Sequence, residues 1–87
     1  MPAVARDGDL CGGAIVATAT ATAVNGLAPA RIGDAVEPHG DPPHDSATMV
    51  EGSATVLVEG VGVCRVGDAA SCGHTITTGS PNVAAGD

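Results

Sequence analysis

The sequence predicts an all-β protein, a small domain of short strands and hairpins built from three pseudo-repeats. Three observations carry that expectation. A five-residue phrase, small-Arg-x-Gly-Asp, occurs as Ala5-Arg6-Asp7-Gly8-Asp9, Ala30-Arg31-Ile32-Gly33-Asp34 and Cys64-Arg65-Val66-Gly67-Asp68. The flanking sequence repeats with it: Ala19 to Gly26 lies 34 positions before Ser53 to Gly60, Arg31 lies 34 before Arg65, and Gly79 to Gly86 begins a third copy. A period of this size marks a repeated supersecondary unit. The intervening runs alternate with period two and are punctuated by glycine, which opposes helix throughout.

Taken in order, Leu10-Cys11-Gly12-Gly13 is a turn, and Ala14 to Val24 is a long alternating strand with alanines on one face and threonines on the other. Asn25-Gly26 predicts a type I′ hairpin turn, because both central residues of that turn need positive φ. Leu27 to Ile32 is the expected return strand. Asp34 to Ser46 reads as a loop, stiffened by Pro38, Pro42 and Pro43. Thr48 to Val50 and Ala54 to Val58 follow as strands, with a turn at Glu59-Gly60, a return through Val61 to Val66, a short loop over Asp68 to His74, and final strand pieces at Thr75 to Thr78 and Asn82 to Ala85. The hairpins keep a constant length while the connections after each repeated Asp vary, the pattern of a rigid frame carrying functional loops.

Composition excludes several functions. A formal charge of −7 with three arginines and no lysine opposes a nucleic-acid surface, which displaces counterions with clustered positive charge, and equally opposes attraction to anionic lipid. Leu10 to Ala30 is uncharged and long enough for a membrane span, but its Ala/Thr alternation, Gly12-Gly13, Asn25-Gly26 and Pro29 point to strands. An odd number of cysteines, 3, and a start without basic and apolar leader regions argue against a disulfide framework and Sec-type export. Phe, Tyr and Trp are absent, so an 87-residue core of Val, Ile, Leu and Ala needs outside help to be stable.

A metal would supply that help. All three histidines fall in the variable loops: His39 and His44 in the long one, and His74 beside Cys72 in the short one. If the repeats surround a common axis, these loops meet, and three imidazoles with one thiolate form a closed tetrahedral shell for Zn²⁺. Structural zinc contributes folding energy on the order of 10 kcal/mol. Cys11, in the equivalent loop of the first repeat, is the competing ligand; it either replaces His74 or stays a free thiol. Cys64 stands where Ala5 and Ala30 stand, as a small buried residue. The Arg-x-Gly-Asp phrases read as frame, with glycine at a positive-φ turn and Arg-Asp pairs joining strand ends across repeats. Asp7-x-Asp9 lacks the further oxygens a calcium loop needs. Catalysis by Cys72 or Cys11 with a loop histidine, oriented by Asp45, would require a substrate pocket that a frame this small has little room to form. The protein is therefore not expected to be an enzyme.

The phrases Pro29-Ala30-Arg31-Ile32-Gly33-Asp34 and Val63-Cys64-Arg65-Val66-Gly67-Asp68, with Gly52-Ser53-Ala54-Thr55-Val56, Gly79-Ser80-Pro81-Asn82-Val83 and Ser71-Cys72-Gly73, together resemble the PAAR-repeat family over nearly the whole chain. The resemblance implies a conical β domain with a zinc site near its vertex, held by three His and one Cys; His39, His44, Cys72 and His74 fit that ligand count. It implies a structural tip, one copy per spike, whose base docks on the trimeric VgrG-type spike of a type VI secretion system or related contractile injector. Contact with the target membrane would be transient. On this reading residues 1–87 are one domain without effector extensions, so that any effector cargo attaches non-covalently, and the protein is cytoplasmic until the injector exports it. The alternative is a free-standing zinc-binding interaction module with no injector role.

Overall fold

The computed structural model describes residues 2–86. Among these there is no helix, and so none long and apolar enough to cross a membrane. Five short strands are formed: β1 (Leu10–Cys11), β2 (Gly13–Val16), β3 (Ala35–Val36), β4 (Leu57–Val58) and β5 (Val61–Gly62). β1, β2 and β3 pair antiparallel in that order, and β4 pairs with β5. Single bridges continue the first sheet through Ala35 to Thr48, Met49 to Ala70 and Ala69 to Thr75. The amide of Thr77 then donates to the carbonyl of Leu10 at 2.9 Å and closes the circuit. The result is a small closed ring of very short strands, with β4 and β5 forming a separate hairpin beside it.

The pseudo-threefold relation is explicit in the backbone. Ala5 N–H donates to Cys64 C=O (3.0 Å), Cys64 N–H to Ala30 C=O (2.8 Å) and Ala30 N–H to Ala5 C=O (2.9 Å), a closed triangle of hydrogen bonds among the residues that precede the three arginines. All three residues are fully buried. This explains why each must be small, and it confirms Cys64 as a substitute for alanine; burial is the main reason its thiol is pushed up to about 12. Ile15, Met49 and Ile76 form a second layer, each standing two bonds from the same turn: its amide donates to Asp9, Asp34 or Asp68 C=O, and its carbonyl accepts from Gly8, Gly33 or Gly67. These are the largest fully buried side chains, and they share one buried cluster with Cys11, Val36, Ala47, Ala70 and the three residues of the triangle. Large residues in one layer and small ones in the next fill the axis without any aromatic ring.

Each Arg-x-Gly-Asp phrase is a β-turn with its glycine at φ +85°, +96° or +96°. The Asp amide donates to the Arg carbonyl, and the Asp carboxylate accepts the Arg amide at 2.7 to 2.8 Å. The expectation that Arg and Asp pair across repeats is corrected. Arg6 pairs with Asp9 (2.9 Å) and Arg65 with Asp68 (3.0 Å) inside their own phrases, because a turn of this type brings residues i and i+3 together. Arg31 instead reaches the Thr18 hydroxyl at 3.0 Å and Glu59 at 3.8 Å.

The long strands expected over Ala14 to Val24 and Leu27 to Ile32 are also corrected. β2 ends at Val16, and the following residues bend away until an isolated bridge joins Val24 to Leu27. A tapering ring offers each strand a partner for only a few residues, so alternation in the sequence outruns the available pairing. Thr48–Met49, Thr75 and Ala84 are likewise single bridges, and β3 lies within the segment expected to be wholly loop. The two-residue turns are as expected: Asn25 and Gly26 have φ 55° and 80°, and Glu59 and Gly60 have 52° and 83°.

Candidate metal centre

The loops that leave β1, β3 and Ala70 converge at one end of the ring, above Cys11, Val36 and Ala70. Two backbone bonds fold the long loop so that its histidines face the axis together: His39 N–H donates to His44 C=O at 3.0 Å, and His44 N–H to Asp41 C=O at 2.8 Å. The short loop is a tight turn in which Gly73, at φ +94°, donates to Ala70 C=O. Ser71 N–H donates to Thr48 C=O at 2.8 Å, while its hydroxyl accepts the Thr48 amide at 3.1 Å, clamping Cys72 against the returning end of the long loop.

This places His39, His44, Cys72 and His74 in one cluster, where one ligand atom from each lies within 4.8 Å of all the others. His74 Nδ1 is 3.1 Å from His39 Nε2, and Cys72 Sγ is 3.6 Å from the same nitrogen. A tetrahedron with Zn–N of 2.0 to 2.1 Å and Zn–S of about 2.3 Å has edges of about 3.3 Å between nitrogens and about 3.6 Å from nitrogen to sulfur. The observed spacings are close to those edges. The side-chain environment fits as well. His39 Nδ1 is 2.8 Å from Glu37 C=O; a carbonyl only accepts, so Nδ1 carries the proton and Nε2 presents its lone pair to the cluster. His44 Nδ1 is buried without a hydrogen-bond partner, a costly state for a polar atom unless something else engages it.

Gly12 and Gly13, which the sequence reading treated only as a turn, form part of this site. A Cβ on Gly12 would collide with His74 Nδ1 and come within 2.8 Å of His39 Nε2; one on Gly13 would lie 2.9 Å from His39 Nδ1. The first repeat thus contributes a flat backbone wall rather than a side chain. Its signal was the Gly-Gly pair itself, since glycine marks close backbone approach as well as turns. Cys11 lies beneath the cluster and outside it. Its thiol is fully buried and donates to His74 C=O at 3.5 Å. Burial, and secondarily the charge of Cys72, push that thiol up, so it is held in the protonated form.

A pseudo-threefold β ring tapering to a cluster of three imidazoles and one thiol, drawn from loops of the second and third repeats, defines a small β cone whose vertex could hold a metal ion. The family model described as PAAR motif matches residues 7–78, and the chain belongs to that family. No curated protein matches it.

Proposed function

We propose that this protein is the structural tip of a contractile injection system, a cone whose vertex is pinned by Zn²⁺ and whose base caps a trimeric VgrG-type spike. Membership of the PAAR family supports the spike-tip role. The observation that carries the metal reading is the cluster itself: one ligand atom each from His39, His44, Cys72 and His74 within 4.8 Å of one another, with His39 Nε2 3.1 Å from His74 Nδ1 and 3.6 Å from Cys72 Sγ. Four protein ligands leave no open position, which is the arrangement of a structural zinc site rather than a catalytic one. When bound, the ion supplies cross-linking of the second and third repeats. The chain's own residues orient the donors through Glu37 C=O and exclude a fifth ligand on the side walled by Gly12.

The opposite end suits a threefold partner. The hairpins at Asn25-Gly26 and Glu59-Gly60 occupy two corners, and the paired ends of the chain occupy the third, where Val4 N–H donates to Val83 C=O at 2.9 Å and Ala85 N–H to Pro2 C=O at 3.0 Å. Leu27, Val56, Leu57 and Val83 are exposed there, an apolar surface for the end of a spike to cover. On this reading one copy serves each spike, is cytoplasmic until assembly, leaves with the spike and contacts the target membrane only in passing. The test is zinc content of the purified protein together with binding to its spike trimer. One zinc per chain and a 1:3 complex are expected; a zinc-containing monomer with no affinity for the spike would instead identify a free-standing zinc module.

A further inference from the structure

Arg31 departs from its two counterparts. Arg6 Nε donates to Asp9 Oδ2 at 2.9 Å and Arg65 Nε to Asp68 Oδ2 at 3.0 Å, and in each pair NH2 reaches the second carboxylate oxygen. Arg31 Nε is buried without a hydrogen-bond partner. Its NH2 donates to the Thr18 hydroxyl at 3.0 Å, and that hydroxyl donates to Asp34 Oδ1 at 2.7 Å, so one hydroxyl separates the guanidinium from its own carboxylate. The turn does not impose this. Gly33 and Gly67 share φ +96°, and Asp34 N–H donates to Arg31 C=O at 3.0 Å as Asp68 N–H does to Arg65 C=O at 2.9 Å. Nor does the threonine, because Thr78 donates to Asp9 Oδ1 at 2.8 Å while Arg6 keeps its pair. What differs is the group that each arginine meets in the neighbouring turn. Arg6 NH1 meets the neutral amide oxygen of Asn25 (3.2 Å) and Arg65 NH1 the carbonyl of Gly86 (2.9 Å), whereas Arg31 NH1 faces the Glu59 carboxylate at 3.8 Å.

We propose that Arg31 is a two-position switch set by the charge of Glu59: while that carboxylate is free the guanidinium is held towards it, and when a basic group docked on the base neutralises it the guanidinium falls back to Asp34, the station that Arg6 and Arg65 occupy in their own phrases. A buried donor without a partner is costly, and a bidentate Arg–carboxylate pair is a strong arrangement, so the attraction of Glu59 is what offsets the loss. The second station is within reach. The Arg31 amide already donates to Asp34 Oδ2 at 2.8 Å, and Thr18 engages only Oδ1. Glu59 is itself anchored by the amides of Ala21 (2.9 Å) and Thr20 (3.4 Å), so the arginine is the part that moves. A docked group biases two states only by interacting differently with them; a cation at Glu59 repels Arg31 from one station and leaves the other untouched. The docking trigger rests on the tip reading above; the two stations do not.

The chain has three arginines and no lysine, so three Nε–H resonances report the three phrases. Heteronuclear NMR of the full chain at neutral pH is expected to show the Arg6 and Arg65 signals shifted downfield by their carboxylates and the Arg31 signal apart from them. In Glu59→Gln the Arg31 signal should join the other two, and a crystal structure should place Arg31 Nε about 3 Å from an Asp34 oxygen. Asp34→Asn added to Glu59→Gln should remove that shift. Repeating the comparison with Ala19→Ser, which gives the first repeat the hydroxyl that Ser53 and Ser80 give theirs, separates a moved arginine from a loosened corner. Adding the spike trimer to the parent chain should move the Arg31 signal in the same direction. An Arg31 signal unmoved in Glu59→Gln overturns the switch. A spike complex that forms and leaves Arg31 where it was overturns the docking trigger. Absence of any complex counts against the tip reading, while the Glu59→Gln result still decides the two stations, so the failures are distinguishable.

Discussion

The carboxylate of Glu59 accepts the amide of Ala21 at 2.9 Å, and in doing so replaces a serine hydroxyl that the first repeat lacks. In the second repeat Ser53 Oγ accepts the amides of Thr55 and Val56, and in the third Ser80 Oγ accepts those of Asn82 and Val83. The equivalent position in the first repeat is Ala19, buried and without a hydroxyl. Glu59 reaches over from the neighbouring hairpin, and its interactions extend to Thr20 N–H at 3.4 Å and Arg31 at 3.8 Å. At the other two corners the corresponding acceptors are Asn25 Oδ1, which receives Ser80 Oγ–H at 2.6 Å, and Gly86 C=O, which receives Ser53 Oγ–H at 2.7 Å. One turn residue per repeat therefore reaches the next repeat around the base.

Glu59→Gln should lower the melting temperature, and Ala19→Ser added to it should restore part of the loss, a coupling that thermal unfolding of the single and double variants would show. The same contact makes stability acid-sensitive. The Ala21 amide holds the Glu59 carboxyl below the ordinary range, with smaller help from Thr20, Arg31 and Thr22. Asp9 is also lowered, its bonds from Arg6 and Thr78 outweighing its burial. For groups depressed in the folded state the stabilisation is fully present above their unfolded pKa values and is lost as pH falls through the folded ones. Melting temperature should therefore hold from neutral pH down to about 5 and decline below it; Glu59→Gln should show a shallower decline. An unchanged slope would mean that the contact contributes nothing in solution.

Met49→Ala or Ile76→Ala should each cost about 2 to 5 kcal/mol, because either leaves a cavity in a layer that has only three large side chains. Equilibrium denaturation would measure it. Val16→Ala, on the exposed face beside Ile15, serves as the control and should change stability little.

Gly12→Ala should lower zinc affinity on the order of 10- to 100-fold, the scale on which displaced outer-shell geometry affects metal sites. Competition against a zinc chelator reads this directly. Gly8, also at positive φ (+85°) but with open space at the Cβ position, is the matched control: Gly8→Ala should incur the backbone strain without the loss of affinity.

The sequence conveyed the frame well and the strand lengths poorly. The repeated phrase located the three turns and the small residues of the axial triangle, since Ala5, Ala30 and Cys64 could only share one position if they shared one constraint. The converging loops placed His39, His44, Cys72 and His74 together, because all four lay in connections that the repeats must aim at a common point. Alternation over Ala14 to Val24 misled, as alternation reports which face a residue takes and not whether a partner strand is there. Gly12 carries no donor atom to mark it in the sequence, and its contribution to the site is the lack of a side chain. The Arg-Asp pairing is ambiguous in the sequence for a related reason: an i to i+3 contact inside a turn, as in Arg6-Asp9 and Arg65-Asp68, and a contact between repeats leave the same residues behind.

Metal removal should be reflected in the whole fold. Chelation of the ion, or His39→Ala combined with Cys72→Ser, should lower the melting temperature strongly, since the cluster joins loops of two repeats over a core without aromatic rings. The most direct test is anomalous diffraction across the zinc edge from crystals of the protein. The account predicts one peak bonded to His39 Nε2, His44, Cys72 Sγ and His74 Nδ1, with four protein ligands and no water. A peak ligated by Cys11, a site with an open water position, or no metal at the vertex would contradict it.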